Sequence, residues 1–189
     1  MEYSDDIRQA LEVLRSGGVI LYPTDTIWGL GCDATCAAAV KRIYAIKQRA
    51  DNKQMLVLAD GLPLLERYVD EVPEAAYQLM EVATTPLTLI LDGAHGVAPE
   101  LLGDDASLGI RITAERYSRE LCARLHKPIV STSANVSGQP AAATFADVDE
   151  RIKAAVDYVA SYRRDDNARR APSSIIQVKA DGSFKILRK

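Results

Sequence analysis

The spacing of apolar residues changes several times along the chain, and each change marks an element. Ile7, Ala10, Leu11 and Leu14 recur at helical spacing behind Ser4, Asp5 and Asp6, which favour a helix start; Gly17 closes the segment. "GVILY" (18–22) is short and uniformly apolar and predicts a buried strand. Val40, Ile43, Tyr44 and Ile46 return to helical spacing within 37–47, and "MLVLA" (55–59) is again strand-like. Helices are predicted near 62–69, 73–82 and 115–126, and strands at 87–91, 108–112, 128–132, 157–161 and 174–178. Asp181-Gly182 inside "KADGSFKIL" (179–187) predicts a hairpin with a type I′ turn.

Strands and helices are interspersed, with hairpin-like pairing near the C-terminus. That pattern predicts an α/β fold: one domain over residues 1–189, with a twisted, mixed, mostly open β-sheet flanked by helices. No repeat, linker or low-complexity segment divides the chain.

Composition narrows the function. Of 189 residues, 48% are hydrophobic and 26% charged, ordinary for a globular protein. No run approaches the ~18 consecutive apolar residues of a membrane span. "MEYSDDIRQALEV" has neither a basic n-region nor a long apolar h-region, so no membrane is implied and the cytoplasm is the expected location. A net charge of −3 argues against general nucleic-acid binding. Basic residues nevertheless cluster at 41–53 (Lys41, Arg42, Lys47, Arg49, Lys53) and in "RRDDNARR" (163–170). Cys32, Cys36 and Cys122 follow no disulfide framework, and the two His stand far from them in sequence, so no metal site is expected.

Three loops carry candidate chemistry. In "YPTDTIWGLGCDA" (22–34), "GLGCDA" formally matches GxGxxA, but six residues separate it from the preceding strand, and Asp51 lies before the next strand rather than at its end. Both facts oppose a dinucleotide fingerprint. "PTDT" puts two hydroxyls and a carboxylate just past a strand's C-terminal end, where open α/β sheets bind ligands; the alternative is a turn that satisfies only its own backbone. Lys47 and Arg49 in "KQR" form a cation pair suited to a triphosphate, or else compensate a helix C-terminus. "STSANVSGQP" (131–140) concentrates hydroxyls and a carboxamide after a buried strand, without the GxSxG or placed His that a serine nucleophile needs.

Taken in order, "YPTDTIWGLGCDA", "IKQR", "PLTLIL", "IR" at 110–111, "STSANVSG" and "PSSIIQV" resemble the YrdC-like family of threonylcarbamoyl-AMP synthases, in its short, single-domain form. The resemblance implies the YrdC-like fold and a nucleotidyltransferase that condenses L-threonine, bicarbonate and ATP, with Mg²⁺ carried by the nucleotide, for modification of tRNA position 37. Thr24, Arg111, Ser131 and Ser173 would hold threonine. Lys47, Arg49, Ser133 and Asn135 would form the catalytic tetrad. Lys47, Arg49, Ser107, Ser133 and Arg188 would contact ATP. Implied partners are a downstream threonylcarbamoyl-transferase complex and weakly held double-stranded RNA or tRNA, with Lys41, Arg42 and Lys53 on the RNA side.

The chain departs from the family at Ala50, "KQM" (53–55), "ATTP" (83–86), Leu58, "RIT" (111–113) and the Arg-rich 163–170. Losing loop prolines and a glycine-rich approach alters loop rigidity rather than ligand-contacting groups. A paralogue that binds RNA or nucleotide with little synthase activity is therefore the second reading, and carbamoyl transfer to another small substrate the third. The readings differ over whether the motif residues share one cavity and whether 163–170 fills it.

Overall fold

The computed structural model describes residues 2–48 and 54–189. The amphipathic start is helix α1, Tyr3–Arg15, with Ile7, Ala10, Leu11 and Leu14 buried. Strand β1, Ile20–Tyr22, is wholly buried. The connection after it contains a strand that its sequence did not reveal: β2, Gly29–Gly31, runs antiparallel to β1. Only glycine fits there, because a Cβ on Gly31 would stand 2.6 Å from Tyr22 Cε1 and 2.7 Å from the Val130 carbonyl oxygen. The GxGxxA spacing thus serves close strand packing rather than a phosphate turn.

Helix α2, Ala37–Lys47, strand β3, Leu56–Ala59, and helix α3, Leu62–Leu65, follow; α3 continues as a 3₁₀ turn to Tyr68. Helix α4, Glu74–Val82, strands β4, Leu87–Leu91, and β5, Leu108–Ile112, helix α5, Arg116–Leu125, and strand β6, Ile129–Ser133, lie within a residue or two of expectation. Helix α6, Glu150–Ala155, was not foreseen, since Ile152 is its one buried residue and leaves no period to read. Strands β7, Tyr158–Val159, β8, Ser174–Val178, and β9, Phe184–Arg188, complete the chain. The final hairpin does not use a type I′ turn: Gly182 has φ 81° but Asp181 is not left-handed, and the Gly182 N–H closes on the Lys179 carbonyl. That is a type I turn followed by a left-handed glycine.

The strands form one nine-stranded sheet in the order β7-β1-β2-β6-β3-β5-β4-β8-β9. It is mixed: β1–β7, β3–β5 and β4–β8 are parallel and the other pairs antiparallel. Residues facing each other in register share a side of the sheet. One side carries Val57, Ile110, Leu89 and Val130, all buried; α5 packs on β3, and α1 packs on α5 and β1. The other side carries Gly29 and Ser133, Leu56 and Ser131, Leu58 and Arg111, Thr88 and Ile175, and then Arg188. The alternation therefore sorts an apolar face from one bearing hydroxyls and guanidinium groups. Among the described residues no helix is long and apolar enough to cross a membrane.

Asp6 is the polar exception in α1. Fully buried, it accepts hydrogen bonds from the Tyr158 hydroxyl and from the backbone N–H groups of Ser161 (2.9 Å) and Tyr162 (2.7 Å). The first helix is thereby tied to the segment that follows β7. Asp6→Ala leaves two N–H groups without their acceptor and is expected to cost about 3 kcal/mol of stability. Urea denaturation measures it, and a loss under about 0.5 kcal/mol would show the contact to be dispensable.

Candidate active site

A cavity of about 300 Å³ opens on the polar side of the sheet. Thr24, Arg111, Ser131, Ser133, Ser173 and Arg188 line it, together with Thr26, Gln54 and the apolar Ile27, Met55, Leu56, Pro172 and Ile175. The site rests on a sheet face rather than beyond the C-terminal ends of strands. A mixed sheet has no single C-terminal edge, so the rule for open parallel sheets does not apply.

Thr24 satisfies both readings of its loop. Its hydroxyl donates to the Ile27 carbonyl (2.8 Å), accepts from the Thr26 N–H (3.1 Å) and lies 3.0 Å from the Thr26 hydroxyl. The side chain both closes its own turn and faces the cavity. On the far side, the Ser173 hydroxyl pairs with that of Thr88 at 2.8 Å, and Arg188 donates from Nε to the Ser173 carbonyl, also at 2.8 Å. A second Arg188 nitrogen reaches the Ser173 hydroxyl at 3.3 Å.

Arg111 is the most constrained group. It is 3% exposed, and its Nη2 lies 3.0 Å from Asp25 Oδ1, yet Asp25 Oδ1 and Arg111 Nε make no aligned hydrogen bond. The pair is a charge contact that leaves one guanidinium donor unspent. Burial pushes the Asp25 carboxyl above its ordinary value, with Arg111 pulling the other way. Burial likewise lowers the Arg111 guanidinium, against the attraction of Asp25.

Ser133 leads into the "SAN" turn, which Lys47 organises. Lys47 is the last residue of α2 and is buried; Gln48, left-handed at φ 49°, turns the chain away. The Lys47 ammonium donates to the carbonyls of Ser133 and Asn135 (the latter at 2.8 Å), and the Ser137 N–H donates back to the Lys47 carbonyl at 2.8 Å. Asn135 donates from Nδ2 to the Gln139 carbonyl at 2.6 Å and lines an adjoining hollow of about 390 Å³. Lys47 and Asn135 therefore stand one layer behind Ser133 rather than on the wall of the main cavity. Arg49 lies outside the described residues, as do Ala50 and Lys53.

Ser107 is buried in the 103–107 turn, and it is not among the residues lining the cavity. Its hydroxyl and the Gln54 amide both crowd the Cβ position of Gly103, at 2.5 and 2.6 Å, and of the two only Gln54 lines the cavity. Gln54, Thr26 and Asp25 were not singled out as site residues. Thr26 and Asp25 belong to the "PTDT" motif itself, whereas nothing local to Gln54 signals its role. Lys41 and Arg42, assigned to an RNA face, pair with Glu100 and Asp157. No residue of 163–170 lines the cavity.

The family model for the Sua5/YciO/YrdC domain, whose description reads "Telomere recombination", matches residues 12–189. A protein of Psychromonas ingrahamii named threonylcarbamoyl-AMP synthase is 37% identical over 151 residues, covering 78% of this chain and 79% of that protein. The structure of E. coli YciO superposes with a TM-score of 0.84 at 27% identity, covering all of this chain and 91% of that one. P. abyssi Sua5 complexed with L-threonine superposes with a TM-score of 0.81 at 27% identity over 91% of this chain. The present chain spans about half the length of that Sua5, 50%.

The raised Asp25 carboxyl has a pH consequence. The folded state holds this proton more tightly than the unfolded chain, so the group's contribution to stability falls as pH rises from its ordinary value of 3.8 through the raised folded value. Asp25→Asn lacks that slope. The stability of the native protein minus that of Asp25→Asn should therefore decline with rising pH, measured by urea denaturation from pH 4 upward. A difference that grows with pH would show that Arg111 outweighs burial.

Proposed function

The chain belongs to the Sua5/YciO/YrdC family, and from that premise we propose that it is a threonylcarbamoyl-AMP synthase. It condenses L-threonine, bicarbonate and ATP to threonylcarbamoyl-AMP and pyrophosphate for threonylcarbamoylation of tRNA position 37. The observation that carries the reading to this site is Arg111: a guanidinium on the wall of a cavity lined by threonine and serine hydroxyls, countered among the described residues by Asp25 alone. Such a guanidinium matches a carboxylate, and the hydroxyls of Thr24, Ser131 and Ser173 match the polar groups of a small hydroxy amino acid.

The residues then divide by task. Arg111 takes the threonine carboxylate, and Thr24, Ser131 and Ser173 orient the amino acid. Arg188 and Ser133 face the nucleotide, and Ser107 supports that end from beside Gln54, which lines the cavity. Lys47 and Asn135 fix the Ser133 turn, and with Arg49 they bring positive charge and donors to the phosphates. The threonine amine and bicarbonate give the N-carboxylate with loss of water. One of its oxygens attacks the α-phosphorus, forming an oxygen–phosphorus bond as the bond from the α-phosphorus to the bridging oxygen breaks and pyrophosphate leaves. The step needs alignment and charge relief rather than a protein nucleophile.

Mg²⁺ arrives with ATP as part of the substrate and offsets charge on the leaving pyrophosphate. Among the described residues no three His, Cys, Asp or Glu gather to hold a metal. The product passes to a downstream threonylcarbamoyl-transferase complex in the cytoplasm, where tRNA is. Contact with tRNA itself is weak and salt-sensitive, since Lys41 and Arg42 must share their charge with Glu100 and Asp157. The paralogue reading has no comparable support: the segment that would fill the cavity stands outside it.

Purified protein with ATP, Mg²⁺ and bicarbonate should release pyrophosphate only when L-threonine is added, with an AMP-linked product. Lys47→Ala should lose at least about a hundredfold in turnover, because an electrostatic group and the turn it organises go together. Pyrophosphate release indifferent to threonine would reject the synthase.

A further inference from the structure

The Arg-rich segment, which departs from the family pattern, touches the site from outside. Arg163 opens it with a left-handed backbone, φ 61°, a conformation uncommon for any residue but glycine. Such strain persists where surrounding contacts over-determine it. Here they do. Arg163 Nη1 donates to the Thr24 carbonyl at 3.1 Å, and the same nitrogen lies 3.6 Å from Glu115 Oε1. Nε and Nη2 grip Asp166 Oδ2 at 3.0 and 2.9 Å.

Asp166 is itself held. It accepts from the Ala168 N–H at 2.9 Å and from Arg170 at 2.9 Å, and the Ala168 N–H, Arg163 and Arg170 together draw its carboxyl down to about 2. Glu115 is fixed as the N-cap of α5, accepting from the Ser118 N–H at 2.8 Å. Just upstream, Asp6 clamps the N–H groups of Ser161 and Tyr162. Just downstream, Pro172 and Ser173 line the cavity. The segment is a braced strap running from the back of the Thr24 loop to the opposite wall.

The carbonyl that Arg163 holds belongs to the peptide joining Thr24 to Asp25. Thr24 brings its hydroxyl to the cavity, and Asp25 is the counter-charge of Arg111. We propose that Arg163 is a positioning residue for threonine: by fixing the Thr24–Asp25 peptide from behind, it sets the Thr24 hydroxyl and the Asp25–Arg111 pair in the orientation that receives the amino acid. The inference rests on the synthase reading. It assigns the Arg-rich segment a role in amino-acid affinity rather than in RNA binding or in closing the site.

The test is the split between two Michaelis constants in the full chain. Arg163→Gly suits the left-handed backbone and removes the side chain, so the fold is kept while the contact is lost. It should raise KM for L-threonine about tenfold and leave KM for ATP within about twofold, in a variant that still unfolds cooperatively. Arg163→Lys keeps the charge without the fork and should recover part of the threonine KM. Should Arg163→Gly fail to fold, Arg163→Lys decides by the same split. A wild-type threonine KM in the folded variant, or an equal rise in both constants, overturns the positioning role and leaves the synthase standing. Native protein without threonine-dependent turnover overturns the synthase reading, and the inference falls with it.

Discussion

A guanidinium taken out of water is costly, and the arrangement around Arg111 exists to meet that cost only in part. The idealised penalty for burying an ion of this size is of order 20 kcal/mol, reduced to several after relaxation. Asp25 supplies the opposing charge at 3.0 Å but leaves Nε unmatched. A fully paired ion would be a structural cross-link. A half-paired one on the wall of a polar cavity keeps charge to offer an anion, and under the synthase reading that anion is the threonine carboxylate.

The other features of the site follow from keeping that pair in place. Arg111 projects from the middle of a sheet, so its own backbone is immobile; Asp25 sits on a connection and needs holding. The threonine turn holds it from within through Thr24 and Thr26, and the strap holds it from without through Arg163. On the Ser133 side the same logic uses a helix end: Lys47 lends its ammonium to two carbonyls of the "SAN" turn. Each side of the cavity is therefore a loop braced by a cation from a neighbouring element.

Much of this was legible beforehand, and the exceptions have physical causes. The helices and strands with clean periods, such as α1, α2, β4 and β5, were readable because burial alone dictates them. Strand β2 was not, because glycines carry no hydrophobic signal and their necessity lies in the neighbours Tyr22 and Val130. Six of the motif residues do meet at one cavity: alternation in β5, β6 and β9 sends Arg111, Ser131, Ser133 and Arg188 to one face, and Thr24 and Ser173 reach it from the loop after β1 and the approach to β8. That Lys47 points at backbone carbonyls, that Ser107 lies beside Gln54, and that Arg163 reaches Thr24 depend on contacts between residues 53 to 139 positions apart, which no local pattern records.

The most direct measurement is the Nε–Hε resonance of Arg111 in ¹⁵N–¹H spectra, assigned through Arg111→Lys, as L-threonine is titrated in. If Arg111 is the carboxylate receptor, the resonance shifts to saturation along with those of the Thr24 loop, because a carboxylate placed on the guanidinium changes the shielding of its Nε–Hε group. A resonance that stays in place while the loop signals show threonine bound would place the carboxylate elsewhere and remove Arg111 from the centre of the site.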